Sequence, residues 1–175
     1  MSLFTLAEID AAAERVRAAG VPETPQYAWP LLAARAGCEV WIKHENHTPT
    51  GAFKVRGGIT YLDRLAEAGG APGIATATRG NHGQSIPYAA RAHGIPVEVW
   101  IPEGNSVEKN AAMRAWGAEL VVHGADFEEA RAACAASAGE RGLHLIPPFH
   151  RDLVRGVATY AVELIRHSAP DVIYV

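Results

Sequence analysis

Only two of the 175 residues are cysteines, Cys38 and Cys134, and they stand far apart without metal-ligand spacing. That scarcity argues against a disulfide framework or a zinc site and points to a reducing, cytoplasmic compartment. No apolar run approaches the roughly 18–20 residues that a membrane span needs. Glu8 and Asp10 interrupt the stretch that a signal peptide would keep apolar. Neither sign of charge dominates: 16 basic against 19 acidic residues leave a net −3, so no strong field favours nucleic acid or an anionic membrane as a partner. The four tryptophans, Trp29, Trp41, Trp100 and Trp116, are scattered and read as packing, not as a stacking platform. No G-x-G-x-x-G and no G-x-x-x-x-G-K-[ST] follows the first strand, which disfavours a nucleotide-binding protein.

What is present is an ordinary globular composition, 49% hydrophobic and 20% charged, on a chain long enough to bury a core. Thr5 followed by Glu8 forms a capping box, and Ile9, Ala12, Ala13 and Val16 make an apolar stripe that Gly20 ends. Three prolines between Val21 and Pro30 predict an extended strap without regular structure. Leu31 to Ala36 suits one or two helical turns, and Cys38 to Lys43 (CEVWIK) reads as a strand. From Gly73 a regular alternation begins. Strands are expected at Ile74–Ala77, Val97–Ile101, Glu119–Val122 and Leu143–Ile146. Between them come helices over Asn81–His93, Ser106–Trp116 and Asp126–Ser137, the last two capped by Ser106 and Asp126, with Gly139 and Gly142 among the junction glycines. Successive βα units predict a parallel sheet covered by helices on both faces. The alanine-rich helix near 130–138 either packs closely or lies on the surface. A longer helix over Asp152–His167 follows, and Asp171–Val175 reads as the start of a buried strand.

Two stretches carry the chemistry. The first is PTGAFKVRGG, Pro49 to Gly58. Here Lys54 sits where a loop becomes a helix, after a small, flexible Thr-Gly-Ala turn. Beside Arg56, Phe53 and the positive end of a helix dipole, its surroundings favour the neutral amine that Schiff-base chemistry requires. On local grounds alone a solvated lysine is the commoner alternative. The second is TATRGNHGQS, Thr76 to Ser85, where a strand gives way to a helix. Gly80 permits an unusual backbone, Asn81 is placed to cap the helix, and the free amides beyond form a receptor for an anion such as a carboxylate. A plain capped turn is the alternative. His44, Glu45, Asn46 and His47 form a polar cluster, but consecutive loop residues rarely face one ion, so no metal is expected.

The string KHENHTPTGAFKVRGG resembles the tryptophan-synthase-β-like (fold type II) family of pyridoxal-phosphate enzymes, most closely its threonine dehydratase and serine racemase branch. The match runs through His44-Glu45-Asn46 and residue by residue from Pro49 to Gly57. It implies that Lys54 carries the cofactor, pyridoxal 5'-phosphate, with Phe53 buttressing its ring. On the matched positions of the second stretch it implies Thr78, Gly80, Asn81 and His82 around a substrate carboxylate, with Asn81 also facing the cofactor. Arg79 departs from the small Ser or Ala usual there. In serine racemases that serine moves a proton on the second face of the substrate, a task a permanently protonated guanidinium cannot do. Arg79 could instead clamp a second carboxylate, as in 3-hydroxyaspartate, or point to solvent. Phe149 and GVATYAVE (Gly156–Glu163) match the family loosely, with Val157 and Ala158 as departures.

The resemblance implies a two-domain α/β fold, of which this chain is the N-terminal half. Residues 1–57 begin the large domain, 58–148 form a small α/β domain, and 149–175 start the return. The glycine-rich loop for the cofactor phosphate and the partner of the pyridine nitrogen lie in the missing half. The implied activity is dehydration of L-threonine, L-serine or a related 3-hydroxy amino acid to a 2-keto acid and ammonia, in a cytoplasmic homodimer or homotetramer. Serine or aspartate racemisation, 3-hydroxyaspartate dehydration and a non-catalytic amino-acid-binding role are the alternatives.

Overall fold

The computed structural model describes residues 3–175. Helix α1 (Leu6–Ala18) opens on the expected capping box, with the Thr5 side chain accepting from the Glu8 amide and the Glu8 carboxylate accepting from the Thr5 amide. The segment expected to be an unstructured strap contains a short strand, β1 (Gln26–Ala28). Prolines at 25 and 30 leave the intervening amides free, and β1 pairs antiparallel with β2 (Trp41–Lys43), Gln26 opposite Lys43. Helix α2 (Pro30–Ala36) links them, closed by Gly37 in the left-handed conformation (φ 70°). β2 is half the length read from CEVWIK, because only three of its residues find a partner strand.

Helix α3 (Lys54–Glu67) leads into a four-stranded sheet in the order β5-β4-β3-β6, every pair parallel. Strands β3 (Ile74–Ala77), β4 (Val97–Ile101) and β5 (Glu119–Val122) have the expected limits, whereas β6 is confined to His144–Leu145. Helix α4 (Asn81–Ala90) passes into a 3-10 turn over Arg91–His93, followed by α5 (Val107–Ala115). Helix α6 (Phe127–Arg141) outruns its expected end at Ser137. Gly139 is an interior residue, and it is Gly142 (φ 66°) that takes up the left-handed cap.

Both faces of the sheet are covered, as the apolar runs require. Ile74, Val97, Val99 and Ile101 face α3, α4 and α5 in one core, with Val55, Ile59, Leu62, Ile86 and Met113. Ala75, Ala77 and Trp100, one residue out of phase, face α6 through Ala138 and Cys134. Ala130, Cys134 and Ala138 are all buried at four-residue spacing, so the alanine-rich helix packs closely. The last five residues form no strand and are exposed; no strand among the described residues lies beside them to complete a ladder.

Helix α3 is clamped between α4 and α7 (Arg151–His167) at glycines. A Cβ on Gly57 would lie 2.7 Å from the Leu153 carbonyl oxygen of α7, and one on Gly58 would lie 2.8 Å from the Ser85 carbonyl oxygen of α4. Gly156 of α7 meets the Arg56 carbonyl and Thr60 in return. The Gly-Gly pair after Arg56 therefore lets two helix backbones approach opposite sides of α3. Gly58→Ala is expected to destabilise the protein by about 1–3 kcal/mol, the usual penalty for overpacking, despite alanine's better helix propensity. Urea denaturation checks this, and a stabilised variant would contradict the clamp.

Candidate active site

Lys54 is the first residue of α3, with Phe53 as a cap that makes no side-chain hydrogen bond. The turn before it is tied, not slack. The Thr48 hydroxyl accepts from the Ala52 amide and donates to the Ala52 carbonyl, both at 2.9 Å, while Gly51 takes a left-handed φ of 67°. The Lys54 carbonyl accepts a hydrogen bond from Ser85 Oγ at 2.7 Å, which fastens the first turn of α3 to α4. The Lys54 side chain is half-buried, its Nζ 4.9 Å from the centroid of the Phe53 ring, and that ring packs in turn on Tyr160. No carboxylate pairs with Lys54 among the described residues.

Arg56, expected beside Lys54, takes its charge elsewhere. It is fully buried and forks onto two carboxylates: Nε and Nη2 donate to Glu45 at 2.8 and 2.9 Å, Nη1 and Nη2 to Glu163 at 2.6 and 3.0 Å. Thr159 Oγ1 accepts from Nη1 at 3.0 Å, and Lys43 Nζ lies 2.6 Å from Glu163. The Thr24 hydroxyl donates to Glu45. Two cations and two anions thus neutralise one another in the interior, joining β2, α3 and α7. Burial pushes the Glu163 carboxyl up, but the bonds from Arg56 and Lys43 outweigh it and hold the group below its ordinary value. Lys43, Glu45, Thr159 and Glu163 were not read as site residues. A usable signal was present in Glu163, which follows Gly156 and Thr159 on the buried face of α7, where an acid needs a buried partner. Glu45 joining Arg56 and Thr24 also accounts for the polar cluster at 44–47, where the rings of His44 and His47 pack on each other.

The second stretch lies between β3 and α4. Asn81 does not cap the helix: Gly80 is the capping residue, and the Gly80 amide is taken by Thr78 Oγ1 at 3.1 Å. Asn81 is the exposed first residue of the helix. Gly80 is extended (φ −174°). A Cβ would lie 3.2 Å from Lys109 Nζ. The amides of Asn81 and His82 have no carbonyl partner among the described residues, leaving an anion receptor at the start of α4. His82 is buried with Nε2 3.2 Å from Thr76 Oγ1, and that hydroxyl donates onward to the Ile146 carbonyl. Thr76 must therefore accept from Nε2–H, which fixes the neutral tautomer. Burial, helped by the charge of Lys54, pushes His82 down to about 4. Thr78 is buried too, while Arg79 projects into solvent. The structure thus brings Lys54, Phe53, Thr78, Gly80 and His82 around the facing starts of α3 and α4, and sets Arg79 and Asn81 on the rim. The hollows lined by Gly69–Pro72 and by Gly73, Pro96 and Glu119 open at the opposite end of the strands.

An unpaired, half-buried primary amine beside an aromatic ring and free helix amides fits a cofactor bound through an aldehyde and carrying anionic groups. Residues 18–175 match the family described as pyridoxal-phosphate dependent enzymes. The chain belongs to this family. It is 37% identical over 142 residues to an L-threonine ammonia-lyase of Geobacter sulfurreducens, covering 81% of this chain and 35% of that protein. With an L-threo-3-hydroxyaspartate ammonia-lyase of a Pseudomonas species it shares 34% identity over 177 residues, all of this chain and 55% of the relative. A solved pyridoxal 5'-phosphate-dependent aspartate racemase superposes with a TM-score of 0.85 at 29% identity, over 95% of this chain and 52% of its own. The chain therefore spans about a third to a half of the length of these relatives, and the resemblance read from PTGAFKVRGG is borne out.

The two depressed groups set two acid windows. His82 is neutral when folded and protonates near its ordinary 6.5 when unfolded, so the stability it contributes is full above 6.5 and is lost as pH falls towards about 4. The Glu163 contribution is full above 4.5 and is lost only below it. Urea denaturation at stepped pH should show both, and His82→Asn should flatten the upper window alone. Glu163→Gln leaves two buried cations, Lys43 and Arg56, with the Glu45 carboxylate alone and should cost about 3–5 kcal/mol at neutral pH.

Proposed function

We propose that Lys54 carries pyridoxal phosphate and that the protein dehydrates a 3-hydroxy amino acid such as L-threonine or L-serine to a 2-keto acid and ammonia. The observation that carries this reading is the unpaired amine of Lys54 at the start of α3, fixed by Ser85 opposite the free amides of α4. The bound cofactor supplies an electron sink for the carbanion left when the α-proton departs. The β-hydroxyl leaves as water, one water returns as the released enamine hydrolyses to the 2-keto acid and ammonia, and binding, orienting and the α-proton fall to the protein. The amides of Asn81 and His82 hold the substrate carboxylate, with Thr78 and Gly80 shaping the loop beneath it. That grip would set the α-hydrogen towards Lys54, whose Nζ, once the substrate's own amine has taken its place on the cofactor, would remove it as general base. Phe53 walls the site on the side of Tyr160 and excludes water. His82 stays neutral beside Lys54, so it neither repels the amine nor competes for the carboxylate.

Racemisation is the weaker reading, although an aspartate racemase shares the fold. It needs a second proton-transfer group on the opposite face, and Arg79, always protonated, offers none. The free thiols Cys38 and Cys134 are in keeping with a cytoplasmic protein, and the exposed Trp29, Leu31, Leu32 and Trp41 with a homodimer or homotetramer.

The visible spectrum of the whole protein, beside Lys54→Ala, tests the assignment. The wild type should be yellow, should shift or bleach with L-threonine or L-serine, and should release keto acid. Lys54→Ala should lose the band and form keto acid about 10²–10⁴-fold more slowly. A wild type that stays colourless with added pyridoxal phosphate would sink the assignment.

A further inference from the structure

Ten of the sixteen lysine and arginine side chains are in ion pairs among the described residues. Three of the other six, Lys54, Arg79 and Lys109, gather at the loop between β3 and α4. Lys109 belongs to α5, in the first turn after the cap by Ser106, where a cation opposes the helix dipole. Its Nζ nevertheless lies across the loop, 3.2 Å from where a Gly80 side chain would begin. Arg79 is exposed on the same loop, one residue away. Lys109 and the starts of α4 and α5 thus meet at one loop, with Arg79 exposed beside it, and neither cation is in an ion pair among the described residues. Such an arrangement costs stability in the free protein and is offset when an anion arrives.

A single carboxylate is served by the Asn81 and His82 amides alone. We infer that, among 3-hydroxy amino acids, the preferred substrate is a dicarboxylic one whose second carboxylate docks between the Arg79 guanidinium and the Lys109 ammonium. This rests on the reading of the loop as the receptor of the first carboxylate. Arg79 offers the planar fork suited to a carboxylate, and Lys109 a point charge from the other side. Arg79 and Lys109 are then determinants of specificity, with no part in moving protons.

Succinate and butyrate, equal in carbon count and differing by one carboxylate, test this without turnover. Calorimetry on the whole protein should show succinate binding at least about tenfold tighter than butyrate. In Arg79→Gln and in Lys109→Gln the two acids should fall within about twofold of each other, while Lys109→Arg keeps the preference. In parallel, the ratio of kcat/KM for 3-hydroxyaspartate over L-serine should drop at least about tenfold in both glutamine variants. A variant that merely folds less well lowers both members of each ratio and leaves the ratio standing. A yellow protein that binds the two acids equally, or whose ratios survive Lys109→Gln, overturns the second-carboxylate site and spares the lysine assignment. A protein that neither takes up the cofactor nor binds either acid overturns both.

Discussion

The buried bridge from Arg56 to Glu45 and Glu163 is the constraint on which the rest of the site depends. It ties together three pieces of chain: the turn after β2, the first turn of α3, and the C-terminal half of α7. Desolvating these charges is costly, and the cost is met only because the guanidinium places four donors on four carboxylate oxygens while Lys43 and Thr159 take up what remains. Lysine at 56 could not do this, having one point charge where a planar fork is needed. Two residues upstream stands Lys54. Its backbone has no freedom left once Arg56 is locked, the Thr48 hydroxyl grips Ala52 and the Ser85 hydroxyl grips the Lys54 carbonyl.

Most of PTGAFKVRGG is thus about position. One residue of the ten carries the unpaired amine. Gly51 turns the chain, Phe53 packs beside the amine, Arg56 anchors the helix to two distant acids, and Gly57 and Gly58 admit α7 and α4 to within backbone contact. A side chain on the first turn of a clamped helix retains only its own rotamer freedom, which is how a fold holds a group in place.

The parts legible in the sequence were those decided locally. Strands β3, β4 and β5 are buried on both faces or bounded by glycine and proline, so their apolar runs begin and end where the strands do. Thr5, Ser106 and Asp126 cap the helices that follow them, because a cap is settled within three residues. What escaped reading was settled at long range. β1 exists only because β2 lies opposite, and Asn81 yields the cap to Gly80 because Thr78 folds back onto the Gly80 amide. The partnership of Arg56 with Glu163 spans 107 residues. No local pattern announces a contact of that span. An acid on an otherwise buried helical face is the one trace it leaves.

The same geometry explains why a chain of net charge −3 builds a positive site. The starts of α3 and α4 face one another through Ser85 and Lys54, and the start of α5 reaches them through Lys109. Parallel strands place α4 and α5 so, each beginning at the carboxyl end of a strand, and α3 is brought to the same edge by the Ser85 bond to the Lys54 carbonyl. Helix starts therefore collect on one edge of the sheet, and their partial positive charges add. Acids at that edge would cancel the field, and Glu45 and Glu163 are turned inward onto Arg56 instead. Pairing Glu45 and Glu163 inside the fold stabilises α3 and, in the same stroke, keeps the edge free to receive anions.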